Sequence, residues 1–93
     1  MNQSLKDQVA IIVGSSSGMG KATAVTFVEA GAKVVLAARR QTELESLASE
    51  LGENAISCPT DIQDAEQVEK LIEFTLVHFG RIDILVYVTG TNI

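Results

Sequence analysis

Four short apolar runs alternate along the chain with three stretches in which apolar residues recur at helical spacing. Val9-Ala10-Ile11-Ile12-Val13 is continuously apolar, the pattern of a strand buried on both faces. Gly14 to Gly20 interrupts it, and a helix is expected from about Met19 to Ala30, closed by Gly31 as its C-cap. Lys33 to Ala38 reads as a second strand. Thr42 and Glu45 have capping-box spacing, which predicts a helix with Leu44, Leu47 and Leu51 on one side. Ala55 to Cys58 is a third, short strand ended by Pro59. Asp64 and Gln67 repeat the cap signal ahead of a longer helix whose inward stripe is Val68, Leu71, Ile72, Thr75 and Phe79, stopped by Gly80. Asp83 leads into a fourth strand, Ile84-Leu85-Val86-Tyr87-Val88, and Thr89 to Ile93 begin a loop.

The order is β-α-β-α-β-α-β. Strands joined through helices run parallel, and right-handed crossovers give an open, doubly wound, Rossmann-like α/β sheet. The expected spatial order is 3-2-1-4, with the chain reversing direction between the first and fourth strands. Ligands of such sheets bind at that reversal, beyond the carboxyl ends of the strands. Gly14 onward forms one lip of the crevice and Thr89-Gly90 the other.

Gly14-Ser15-Ser16-Ser17-Gly18-Met19-Gly20 therefore falls where a phosphate-binding turn belongs. Gly14 permits the sharp exit from the strand, Gly18 leaves room for a diphosphate, and Gly20 lets the helix pack close to the sheet. Free N–H groups and the helix dipole favour an anion there, and the hydroxyls of Ser15, Ser16 and Ser17 add donors. Met19 is expected to pack under a cofactor or the sheet. A glycine-rich loop that only turns the chain is the plain alternative. A mononucleotide P-loop fails twice, since it needs glycine where Ser15 stands and serine or threonine where Ala22 stands.

Ninety-three residues make one domain, 1–93, and 46% hydrophobic composition with positive mean hydropathy marks a globular chain. No apolar run nears the roughly 18 residues that span a bilayer, and the first seven residues lack the features of a signal peptide, so a cytoplasmic location is expected. The net charge of −5 argues against nucleic acid. With one cysteine, Cys58, and one histidine, His78, neither a disulfide nor a zinc site is expected. Cys58 reads as strand packing and His78 as a helix C-terminal residue, while Lys21 reads as solvated.

With these residues in hand, the chain resembles the short-chain dehydrogenase/reductase family from about Leu5 to Gly90. Val13 to Gly20 stands where that family has threonine-glycine, three residues, glycine, one residue, glycine. Phe27, Ala30-Gly31-Ala32, Asp61 and Phe79 through Val86 add to the match. The resemblance implies that Asp61-Ile62 hold an adenine and that the backbone near Gly90 faces the ribose next to nicotinamide. Structurally, Asp61 also suits the turn before the Asp64 helix. The chain departs from the family at Val13, usually threonine, and at Tyr87-Val88-Thr89-Gly90, usually asparagine-asparagine-alanine-glycine. Tyr87 either packs as a good strand former or crowds the nicotinamide end of a cofactor.

Strand two ends Ala37-Ala38-Arg39-Arg40. NAD-dependent members carry a carboxylate at this strand end to hold the ribose hydroxyls, and here Ala38 occupies the place. Arg39, with Arg40 beside it, can meet a 2′-phosphate in a bidentate pair, and Ser16 can add a hydroxyl, which favours NADP(H) over NAD(H). Two solvated arginines are the plain alternative, although cations just before a helix N-terminus are unfavourable by some ~0.3–1 kcal/mol without an anion. The expected set for the dinucleotide is Gly14, Ser16, Ser17, Gly18, Met19, Gly20, Arg39, Arg40, Asp61, Ile62 and Gly90. The family's serine and its tyrosine and lysine four apart are absent: residue 91, four beyond the single tyrosine Tyr87, is threonine. No catalytic or metal-binding residue is expected. An oxidoreductase's nucleotide half, from a parent that is a homo-oligomer, is the leading expectation, with a noncatalytic nucleotide-binding or interaction module as the second. An uncovered fourth strand predicts an isolated chain that is marginal or oligomerises.

Overall fold

The structure, a computed structural model, describes residues 4–14 and 18–88. Its elements are β1 (Val9–Val13), α1 (Gly18–Glu29), β2 (Lys33–Ala37), α2 (Gln41–Leu51), β3 (Ala55–Ser57), α3 (Ala65–Phe79) and β4 (Ile84–Tyr87). The four strands form one parallel sheet in the order β3-β2-β1-β4, as the alternation of elements requires. Val13 is paired with Ala37 on one side and Tyr87 on the other, so the carboxyl ends of the three adjacent strands lie level. The second, third and fourth strands end at Ala37, Ser57 and Tyr87, each one residue before the end expected from the sequence.

The sheet separates two cores. Ala10, Ile12, Val34 and Leu36 face α1 and α2, where Ala24, Leu44 and Leu47 are buried against them. Ile11, Val13, Val35 and Ala37 face α3 and pack on Leu71. Complete burial of Leu44 is worth about 1.5–3 kcal/mol in transfer free energy. The strand that both cores share, β1, is buried at every position.

Helix ends follow the chemistry of their residues. After α1, the Ala32 N–H reaches Phe27 O at 3.0 Å and the Gly31 N–H reaches Val28 O at 3.0 Å, with Gly31 at φ 96. This paired closure needs a left-handed residue, which glycine adopts without strain. Asp64 caps α3 by accepting from the Glu66 and Gln67 N–H groups, as its position predicts. The expected Thr42–Glu45 box does not form. Helix α2 begins at Gln41 with Arg40 as its N-cap, so Thr42 already lies inside the first turn and cannot cap it. The Glu45 carboxylate instead takes the Gln41 side-chain amide at 2.9 Å.

One further expectation changes: Ile72 is exposed rather than inward. The same arrangement leaves one face of β4 open, with Leu85 and Tyr87 67% and 59% exposed. Helix α3 lies toward β2, with Leu71 and Thr75 buried beneath it, and leaves the matching face of β4 bare. The opposite face of β4, Ile84 and Val86, packs partly against the α1/α2 core.

The amino end of β4 is fastened to β1 by a carboxylate. Asp83 accepts the Val9 N–H at 2.9 Å and a two-pronged contact from Arg81, 2.7 Å from Nη2 to Oδ1 and 2.9 Å from Nε to Oδ2. The Asp83 N–H also donates to Val9 O at 2.8 Å. The Arg81 hydrogen bonds, and then the Val9 N–H, hold the Asp83 carboxyl below the ordinary carboxylate range. A carboxyl depressed on folding contributes stability that is complete above its unfolded pKa, near 3.9, and is lost as pH falls through the folded value. Asp83→Asn should therefore lower the denaturant midpoint at pH 7. It should also flatten the acid dependence of that midpoint below about pH 4; denaturant titrations of both proteins from neutral to acid pH check this.

Candidate functional site

The carboxyl crest of the sheet gathers most of the residues expected to meet a dinucleotide. At its centre, the Gly14 N–H donates to Ala37 O at 2.8 Å and the Val88 N–H donates to Val13 O at 2.9 Å, carrying both ladders one step past the strands. Gly14 has φ 88, and a Cβ there would overlap the Val88 carbonyl oxygen. Both the backbone angle and the close approach require glycine. The chain thus leaves β1 at Gly14 pressed against the end of β4.

Helix α1 starts at Gly18, directly after the turn. A Cβ on Gly18 would meet nothing within 4 Å among the described residues. Packing against the described residues therefore does not demand glycine at this position. Gly20 is buried, consistent with tight seating of the helix on the sheet. No acidic residue occupies the first turn of α1, whereas α2 and α3 carry Glu43 and Glu66 in theirs. The positive end of the α1 dipole therefore has no carboxylate from its own first turn. Met19 is 72% exposed, which removes the sheet from the two packing partners expected for it. Lys21 is exposed.

At the end of β2 the two arginines part company. Arg40 donates to the Glu43 carboxylate at 3.3 Å, an exposed pair worth little by itself. Arg39 is exposed and makes no ion pair or side-chain hydrogen bond among the described residues. Beyond β3 the ladder continues: Cys58 N–H donates to Leu36 O at 2.8 Å, and Thr60 N–H to Ala38 O at 2.8 Å. Buried Thr60, which the sequence pattern does not single out, thereby sets Asp61 beside the Ala38-Arg39 corner.

The Asp61 carboxylate accepts the Gln63 N–H at 3.0 Å, and its own N–H donates to Gln67 Oε1 at 2.8 Å. The turn role foreseen for Asp61 is therefore real. Ile62 is carried over the α3 face, where it lines an apolar groove with Val13, Val68, Ile72, Leu85 and Tyr87. Ser15, Ser16, Ser17 and Gly90, also expected at the site, lie outside the described residues. His78 sits in the last turn of α3 with Nδ1 2.9 Å from Phe74 O, and half-buried Cys58 packs against the α3-side core.

Comparison with known proteins agrees with this geometry. The family model for short chain dehydrogenases matches residues 8–93. An uncharacterised oxidoreductase of Staphylococcus aureus (strain USA300) is 39% identical over 87 residues, covering 92% of this chain and 38% of the relative. One from Listeria monocytogenes is 44% identical over 82 residues, covering 85% and 33%. Among solved structures, the 3-ketoacyl-(acyl-carrier-protein) reductase of Brucella melitensis, complexed with NADH, superposes with a TM-score of 0.86 at 39% identity, over 88% of this chain and 34% of that one. The hydroxysteroid dehydrogenase of Escherichia coli gives 0.87 at 34% identity, over 92% and 37%. The chain spans little more than a third of the length of these relatives. With sequence pattern, strand order and crest in accord, the chain belongs to the short-chain dehydrogenase family.

Proposed function

We propose that this chain is the NADP(H)-binding portion of a short-chain oxidoreductase that moves hydride between NADPH and a carbonyl or alcohol substrate. Dinucleotide binding at the crest is supported by the Gly14 bend, the space around Gly18 among the described residues and the acid-free first turn of α1. In this reading the diphosphate takes the amides of Gly18, Met19 and Gly20, with Ser16 and Ser17 beside it. Asp61-Ile62 border the adenine, and the Gly90 backbone faces the ribose next to nicotinamide. The cofactor, when bound, supplies or accepts the hydride. This chain's part is to bind and orient it, because the family's serine, tyrosine and lysine are absent from these 93 residues. Turnover by the chain alone is not expected.

The phosphorylated cofactor is favoured by one observation: an exposed Arg39 with no partner among the described residues, next to Ala38 at the end of β2. A carboxylate at this corner would repel a 2′-phosphate, and the methyl of Ala38 does not. Arg40 already has Glu43 and contributes less. Isothermal titration should give at least about tenfold tighter binding of NADPH than NADH, some ~1.4 kcal/mol. Arg39→Ala should bring NADPH down to the NADH level while leaving NADH unchanged. Tighter NADH binding, or an indifferent Arg39→Ala, contradicts the assignment.

The two glycines should respond in opposite ways. Gly14→Ala forces a Cβ against Val88 at a left-handed φ and should destabilise the chain by about 1–3 kcal/mol. Gly18→Ala meets no atom of the described residues and replaces a helical glycine, so stability should hold or rise by up to ~1 kcal/mol. Affinity for NADPH should nonetheless fall. Thermal melts paired with calorimetric titrations read both quantities, and a Gly18→Ala chain that binds normally would remove the diphosphate from this turn.

A further inference from the structure

We infer that Tyr87, at the carboxyl end of β4, is a positioning residue for the adenine ring, which lies against the tyrosine face with Ile62 as the facing wall. The inference rests on the dinucleotide reading above and adds to it a side chain and an orientation. Tyr87 stands in register with Val13, the residue before the phosphate turn, and projects to the α3 face with Leu85. It is 59% exposed, and its hydroxyl makes no hydrogen bond among the described residues. Ile62, 38% exposed, is brought over the same face by the loop that leaves β3. Both sit at the crest end of an apolar groove that continues down past Leu85 to Ile82.

Three constraints select the adenine for this place. Arg39 at the end of β2 fixes the 2′-phosphate of the adenosine ribose, so the base lies within one sugar's reach of that corner. On the α1/α2 side of the sheet the neighbouring space is filled by buried Leu44 and Leu47, whereas the α3 side is open. The groove has about 180 Å³ of free volume and no polar lining, too small for a whole dinucleotide when ligand pockets run to roughly 300–1,000 Å³. It suits the flat, apolar faces of one base. A base stacks favourably against an aromatic face. The position that crowding would make a liability at the nicotinamide end is, on the α3 face, an asset at the other end.

Tyr87 is the only tyrosine and the chain has no tryptophan, so its ring protons are identified without ambiguity. With NADPH bound to the chain, nuclear Overhauser contacts should connect these protons to adenine H2 and H8 and not to the nicotinamide protons. Tyr87→Phe should keep NADPH affinity. Tyr87→Leu, which preserves apolar bulk on the strand, should weaken it about tenfold, the equivalent of ~1.4 kcal/mol. Contacts to nicotinamide, or no contact and unchanged affinity in Tyr87→Leu while NADPH binds, overturn the role of Tyr87 and leave the cofactor reading standing. Calorimetry showing no NADPH binding to the unaltered chain overturns both.

Discussion

The site depends on a single close approach, that of the Gly14 backbone to the carbonyl of Val88. Three strands end level at this point, and Gly14 both continues the β1–β2 ladder and turns away from it. Any side chain would force the end of β4 outward. Gly14 and the end of β4 hold their relative places because nothing larger than hydrogen stands between them.

The two faces of the sheet serve different ends. The α1/α2 face is filled from Ala10 to Leu47, and this core gives β1 and β2 the rigidity that a positioned turn requires. The α3 face is filled over β1 and β2 but bare over β4, and the resulting groove meets the crest where the nucleotide reading needs an apolar wall. At the far end of the sheet, Arg81, Asp83 and Val9 hold β4 in register with β1. A shift of that register would carry Val88 away from Gly14, so an ion pair remote from the crest supports its geometry.

Element types, their order and the sheet topology were legible because apolar runs and glycine breaks are set by local chemistry. So were Gly31 and Asp64, whose capping geometry involves only residues close in sequence. Positions that depend on neighbours distant in sequence read less well. Thr42 looks like a cap, yet the ladder leaving β2 places Arg40 there first. Ile72 looks inward, yet α3 settles toward β2 and leaves it exposed. The periodicity of a helix says which residues share a face, not what covers that face. Within the expected site, Gly14, Gly18 and Gly20 fall as their spacing indicates, and Met19 turns outward. The separate states of Arg39 and Arg40 become visible only once Glu43 is placed in the first turn of α2. Two contributors had weak signals: Thr60, a polar residue after proline, and Asp83, two residues beyond an arginine at the start of a strand.

Amide-resolved nuclear magnetic resonance of the chain during addition of NADPH tests the central claim most directly, since it locates the anion on the backbone. Saturable shifts should be largest at the amides of Gly18, Met19 and Gly20, where α1 begins. Shifts confined to the opposite end of the sheet, around Val9 and Asp83, or none in the presence of bound NADPH, would contradict the account.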